Sequence, residues 1–462
     1  MVVFLDLPVD ILPLILSFIV RPQHLASNSL VNKTFQSFAI PRLYERVSLY
    51  AWQREGKTKV VQLFSTLARC SHLAKHVRRL EIRDFPKATA DDRLVCTVLQ
   101  GLRNCTNLRV CTWTRDGSLT SDILEALQIS GVLTDLEING RSEGNFNPTL
   151  LQNFTRLSRL SLIMPSNPVV QLLDPWISMT GSTLQSLNVI CKASPLITDT
   201  ILETLAPNLY NLKNLYLTGC VKVTHKGVWA VLSHNTAGLV GLGLEGVSPQ
   251  FDMGEFSRLC LKAGALKWLL AITLTVHPQC PLDTWTSDVL SLLSASPLQK
   301  FQIYSPGAFY ESPWTELFWS QLVTTHGHRL YQFSVHRMLI SLTAIEEICR
   351  RCTVLQQLFI VVEPDSLPSL GQCLVHAKSL RSIHVNYPVE AHTDDIAVIS
   401  AMEALSVIKH CSPTLTQFGC NARVWQVTKH IEMLPDGSYA VHPRLSPYES
   451  PDIPEPFLVV RT

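Results

Sequence analysis

Charge is scarce in this sequence. Asp, Glu, Lys and Arg make up 16% of the 462 residues, and 39 bases against 37 acids leave a net charge of +2. The basic residues form no long run; His76-Val77-Arg78-Arg79 is as dense as they become. Neither nucleic acid nor an anionic membrane surface is expected as a partner of such a chain. Long apolar runs are also missing. Ile11 to Val20 is ten residues, too short to cross a bilayer, and Leu266 to Val276 is short and carries Lys267. No Lys or Arg precedes Arg21, whereas Asp6 and Asp10 do, so the basic start of a secretory signal is lacking. Thirteen cysteines, an odd number scattered along the chain, then read as reduced thiols of the cytoplasm and/or nucleus.

Motifs of chemistry are equally sparse. H-E-x-x-H, G-x-S-x-G and the P-loop are absent, and the 15 histidines are dispersed. His326 and His328 fall in a loop ahead of Leu330 and are expected to be solvated. Cys349-Arg-Arg-Cys352 is a lone pair, half of what zinc requires, and reads as helix-end packing. Gly241-x-Gly243-x-x-Gly246 matches the dinucleotide fingerprint, but Leu242 and Leu244 sit on the ladder positions of a strand. That places the glycines inside a strand instead of in the turn after one. The expectation is a non-catalytic protein with no cofactor and no metal.

What is present begins at the N-terminus. Three short apolar segments, Ile11 to Val20, Leu25 to Val31 and Phe35 to Ala39, are separated by breakers at Arg21-Pro22 and Asn32-Lys33. A helical unit of about 45 residues buries little apolar surface by itself and leaves leucines for a partner. Leu7-Pro8-Val9-Asp10, Ile11-Leu12, Ile15-Leu16, Leu25, the segment Ser29 to Phe35 and Pro41-Arg42-Leu43-Tyr44, in that order, resemble an F-box. The resemblance implies docking on the Skp-type adaptor of an SCF ubiquitin ligase and, through it, on a cullin-RING scaffold. It places Leu7, Pro8, Ile11, Leu12, Ile15, Leu16, Leu30, Val31 and Phe35 partly in the module's own core and partly on the adaptor. Pro13 departs from the family pattern. With Asp10 as cap it would fall in the first helical turn, where its missing N–H costs nothing.

Beyond Tyr50 a polar segment leads into Val60, Leu63, Phe64 and Leu67, which fit one helix face and join the F-box to a region of different pattern. From Val77 the pattern L-x-x-L-x-L recurs thirteen times, starting at 77, 108, 133, 157, 184, 212, 239, 269, 298, 330, 355, 380 and 415. The mean step is about 28 residues, the spacing of leucine-rich repeats, with helical periodicity between the matches. The clearest unit, Leu212 to Leu232, resembles the cysteine-containing subtype that often follows an F-box. Strand plus helix, stacked in one direction, gives a solenoid with parallel strands on its concave face.

The fold class is therefore α/β: an F-box over 1–50, a linker helix over 51–75, an irregular solenoid over 76–420, and a C-terminal β cap with a Pro-rich tail over 421–462. In each repeat the third, fifth and seventh positions alternate away from the apolar residues. Among them the row Tyr216, Tyr304, His336, Phe359 and His384 offers exposed rings suited to a protein target of unknown identity. The function expected is substrate recognition for an SCF-type ligase; the alternative is a leucine-rich-repeat interaction scaffold outside any ligase.

Overall fold

The computed structural model describes residues 8–19, 21–50, 55–86, 92–276, 282–305, 314–388, 399–421, 423–433 and 438–448. The chain divides into two compact units, one running to Leu196 with Pro207–Leu212, the other comprising Ile197–Ala206 and Lys213–Glu449.

The first unit opens with three helices, α1 (Leu12–Ser17), α2 (Pro22–Ser29) and α3 (Lys33–Glu45). Asp10 does not cap α1. A short 3-10 turn over Val9–Ile11, closed by Ile11 N–H donating to the Pro8 carbonyl at 3.0 Å, takes up the intervening residues. Pro13 still lands in the first turn of α1, and Pro22 opens α2. Asn32 caps α3, its Oδ1 accepting from the Phe35 N–H at 2.9 Å. The core of these helices is Leu16, Leu25 and Ala39, with Ile19, Phe38 and Leu43 packed around it.

Strand β1 (Arg46–Leu49) follows α3 with no residue between, and α4 (Gly56–Arg69) comes next, its buried stripe Val60, Phe64 and Leu67. The segment expected to link two domains is thus the crossover helix of the first coil. Strands β2 (Arg79–Ile82), β3 (Val110–Trp113), β4 (Asp135–Asn139), β5 (Arg159–Ile163) and β6 (Ser186–Thr198) complete the unit, with β1 to β6 pairing in chain order, all parallel. The register is unbroken: Val47, Leu80, Cys111, Leu136, Leu160 and Leu187 form one column, and Leu49, Ile82, Trp113, Ile138, Leu162 and Val189 the next. From Leu80 and Ile82 onward every member is buried. At roughly 1.5–3 kcal/mol for each fully buried large side chain, these columns are the main reason the coils stack.

The second unit repeats the design with β7 (Asn214–Lys222), β8 (Gly241–Glu245), β9 (Ala271–Thr275), β10 (Lys300–Tyr304), β11 (Gln332–His336), β12 (Gln357–Val361), β13 (Ser382–Asn386) and β14 (Gln417–Cys420), again parallel and in chain order. Each L-x-x-L-x-L match thus carries a strand beginning near its third residue. The crossover helices are started by the same device, a side chain accepting from the backbone one turn on, at Thr198, Thr224, Asp252, Ser341 and Ser400. Both units are runs of leucine-rich-repeat coils.

The C-terminal element is antiparallel, unlike the coils before it. It is one hairpin of β15 (Arg423–Met433) and β16 (Tyr439–Pro447), in which β15 pairs antiparallel with both β14 and β16. Of the prolines expected in an extended tail, Pro443 and Pro447 lie instead within β16, and those at 451, 454 and 456 lie outside the described residues, as does Pro435-Asp436-Gly437. The last strand carries Pro443 and Pro447, which a strand tolerates at an edge, where the missing N–H faces away from the ladder.

Candidate functional site

Two surfaces bear on function. The first is the outside of the three helices. Leu12 and Leu16 face into the module. Pro8, Ile11, Ile15, Leu30 and Val31 are exposed, Leu30 at 85%, and Phe35 is half-buried. Leu7 lies outside the described residues. Val9, Leu14 and Phe18, which the sequence did not single out, are exposed on the same helices, Phe18 at 78%. Four buried side chains, Leu12, Leu16, Leu25 and Ala39, cannot also cover these seven large apolar ones.

The second surface is the sheet face opposite the crossover helices. In the second unit its rings form a packed series rather than an open row. Tyr304 and His336, register partners on β10 and β11, stack at 4.5 Å between centroids and 13° between planes. His336 meets Phe359 at 6.1 Å, and Phe359 stacks on His384 at 6.1 Å and 22°. Phe359 is 2% exposed and His384 1%, which corrects the expectation that both face solvent; Tyr304 and His336 are half-buried. The alternation of a strand gives the direction of a side chain and says nothing of what covers it. Here each ring is covered by the ring on the next strand. The segment after β11 adds to this: Arg337 takes a left-handed turn (φ 55°), and the Ile340 N–H donates to the Val361 carbonyl at 3.1 Å.

The series ends on Gly419, the register partner of His384. A Cβ there would lie 2.0 Å from His384 Nδ1, so only glycine admits the imidazole. His384 Nε2 donates to the carbonyl of Asn421 at 3.0 Å, which assigns the proton to Nε2. Asn421, itself left-handed at φ 49°, accepts through Oδ1 from the Tyr387 N–H at 2.9 Å. Burial lowers the pKa of both His336 and His384 to about 4, so both rings are neutral near pH 7.

Tyr216 stands apart from the other four, half-buried on β7 with its ring across β8. A Cβ on Gly243 would be 2.3 Å from its Cδ1 and one on Gly241 2.6 Å from its hydroxyl. These are two glycines of the apparent dinucleotide fingerprint. They lie inside β8, as the strand reading holds, and their role is to seat a tyrosine.

The same face of the first unit is ionic. Glu81, 2% exposed, is bound by Arg79 Nε, by Arg46 Nε at 3.3 Å, and by the hydroxyls of Tyr50 (3.1 Å) and Ser48 (3.2 Å). Burial pushes its carboxyl up, but the two guanidiniums outweigh that and hold its pKa below the ordinary value. Arg83 pairs with Glu137 across two strands at 2.9 Å. This network was missed in the sequence, although Arg79-x-Glu81 on a strand puts both on one face.

Of the remaining candidates, Cys349 and Cys352 are buried with their thiols pushed up by burial, a packing role. His328 is exposed, but His326 is not solvated: it closes the helix Trp314–His326, is buried, and has its pKa lowered to about 4, by burial first and then by Arg329 and His328. Among the described residues no group of three or more His, Cys, Asp or Glu could hold a metal ion, and no helix is long and apolar enough to cross a membrane.

No family model matches the chain, and no curated protein matches it. Among solved structures it is similar to the Rad7 and Elc1 complex in yeast, with TM-score 0.41 and 12% identity over 72% of this chain and 77% of that chain. It is also similar to the leucine-rich repeat-containing protein LegL7 from Legionella pneumophila, with TM-score 0.36 and 11% identity over 79% of this chain and 97% of that one.

Proposed function

We propose that this chain is a substrate-recognition subunit of an SCF-type ubiquitin ligase. Its three helices would dock on a Skp-type adaptor, and its repeat strands would present a face to a target protein. The observation that carries this is the mismatch within the helical module, four buried apolar residues against seven exposed large apolar ones, in a segment that resembles an F-box. The subunit has no catalytic residue in this reading. Ubiquitin transfer belongs to the recruited conjugating enzyme, and this chain contributes proximity and orientation.

Co-expression with a Skp-type adaptor tests it. The intact chain should co-purify with the adaptor, and Ile15→Asp with Leu30→Asp, both on exposed positions, should abolish this while the repeats keep their thermal transition. Substituting Leu12 or Leu16 would be uninformative, since both are buried in the module itself. If the intact chain does not co-purify, or the double variant does so equally well, the adaptor reading fails.

A further inference from the structure

The end of α3 and the first strands gather more positive charge than their own carboxylates neutralise. Arg46 and Arg79 are register partners on β1 and β2, about 5 Å apart at the backbone, and both bind the single carboxylate of Glu81. One residue earlier, the Arg109 N–H donates to the Arg78 carbonyl at 2.9 Å, so these two arginines are neighbours as well. Glu45 is shared by Arg42 at 2.7 Å and Arg78 at 3.8 Å, and Arg109 makes no ion pair among the described residues. Leaving Arg46 aside, Arg42, Arg78, Arg79 and Arg109 face two carboxylates, and exposed Lys75 adds a further charge. The field reaches His76, whose pKa is lowered by burial and then by Lys75, His72 and Arg78.

We infer that this cluster is the docking site for an acidic peptide segment of a partner protein, one carrying several carboxylates within a few residues. Arg42, Arg78, Arg79 and Arg109 are all exposed, and a guanidinium with spare N–H donors takes a carboxylate as a two-pronged partner. The cluster spans β1 to β3, about 10 Å, and β4 presents Asp135 and Glu137. A short acidic segment fits that extent. A nucleic acid, with a charge about every 1.7 Å along its axis, would run on into those acids. The inference rests on the strand-start edge of the first unit's sheet taking part in target binding, and so deepens the proposed role in substrate recognition.

The test uses the full chain and a fluorescent peptide of about ten residues rich in Asp and Glu, beside its Asn/Gln counterpart and a short DNA duplex, followed by anisotropy. The acidic peptide should bind at least tenfold tighter than the neutral one, and tenfold weaker when salt is raised from about 50 to 500 mM. The double variant Arg78→Glu, Arg109→Glu should lose tenfold or more, whereas Lys300→Glu in the second unit should stay within twofold. Equal binding of the two peptides, indifference to the double reversal, or tighter binding of the duplex overturns the inference. A thermal melt confirms that the double variant is folded, and Arg109→Gln alone, expected to lose threefold or more, decides the matter if it is not. Adaptor co-purification of the same variant separates the two readings. Lost peptide binding with the adaptor retained supports the inference, and absent adaptor binding with the peptide retained removes only the ligase assignment.

Discussion

Gly419→Ala should be among the most damaging single-methyl additions to the second unit. The new Cβ would stand 2.0 Å from His384 Nδ1, 2.7 Å from Cε1 and 2.9 Å from Cγ. Reaching ordinary contact near 3.4 Å requires the ring to move by more than 1 Å. It has nowhere to go, because Phe359 stacks on it and its Nε2–H is held by the Asn421 carbonyl. Giving up the hydrogen bond costs about 1 kcal/mol, or up to about 3 if a buried group is left unpaired. Losing the ring contact costs a further ~0.5–1.5 kcal/mol. The expected penalty is about 2–4 kcal/mol, in the range of overpacked cores. Repeat arrays can unfold in stages, so the loss should be read both from urea unfolding and from hydrogen exchange of the segment around residues 417–427. The decisive measurement is the double-mutant cycle with His384→Ala, because truncating the ring makes room for the methyl group. Gly419→Ala should then cost less than about 1 kcal/mol in that background, giving a coupling of at least ~1.5 kcal/mol. A nearly neutral Gly419→Ala, or a double variant equal to the sum of the singles, would refute the steric account.

Three further outcomes are expected. Because His336 and His384 titrate near 4 in the folded chain and near 6.5 when unfolded, the unfolded chain binds more protons between those values. Stability is therefore full above pH 6.5 and falls as pH drops toward 4, by up to about 3 kcal/mol for each imidazole; a midpoint independent of pH over that window would contradict it. Glu81→Gln leaves Arg79 and Arg46 without their carboxylate and should lower stability by about 2–3 kcal/mol at pH 7. In the parent the same contribution is present above the ordinary carboxylate range and lost as pH falls through the lowered value, which urea midpoints down to pH 3 would reveal. Among the cysteines of the described residues, alkylation of the native chain should begin at exposed Cys96, while Cys105, Cys111, Cys260 and Cys352, with thiols pushed up to about 12 by burial, should react only after unfolding, as peptide mapping would show.

The repeats were legible because an L-x-x-L-x-L strand writes its register into its own sequence, and all thirteen matches became strands. A fourteenth went unread. Tyr44-Glu-Arg-Val47-Ser-Leu49 has the same form, but its first position falls inside α3, and the segment reads with the F-box over 1–50. The faces were legible from alternation; the depth of each face was not. Phe359 and His384 are buried by ring neighbours that stand 23 residues or more away in sequence, and nothing local to either residue records the stack. Nor does a single sequence show that Asn421 adopts φ 49° to offer its carbonyl to an imidazole 37 positions earlier. The apolar exterior of the first helices was visible as composition. Its division between core and surface needed the packing, which puts Leu12 and Leu16 inside and Ile15 and Leu30 outside.

The junction of α3 and β1 has a mechanical consequence. Glu45 ends the helix, Arg46 starts the strand, and the Arg78 N–H clamps the Glu45 carbonyl from the next coil at 3.0 Å. There is no joint at which the helical module could swivel against the coils beside it. A partner gripped by those helices and another lying on β1 to β3 would be fixed in bearing and separation, as on two marks of one ruler. In such a molecule reach cannot be tuned by slackening a tether; it changes only when a coil is added, removed or lengthened.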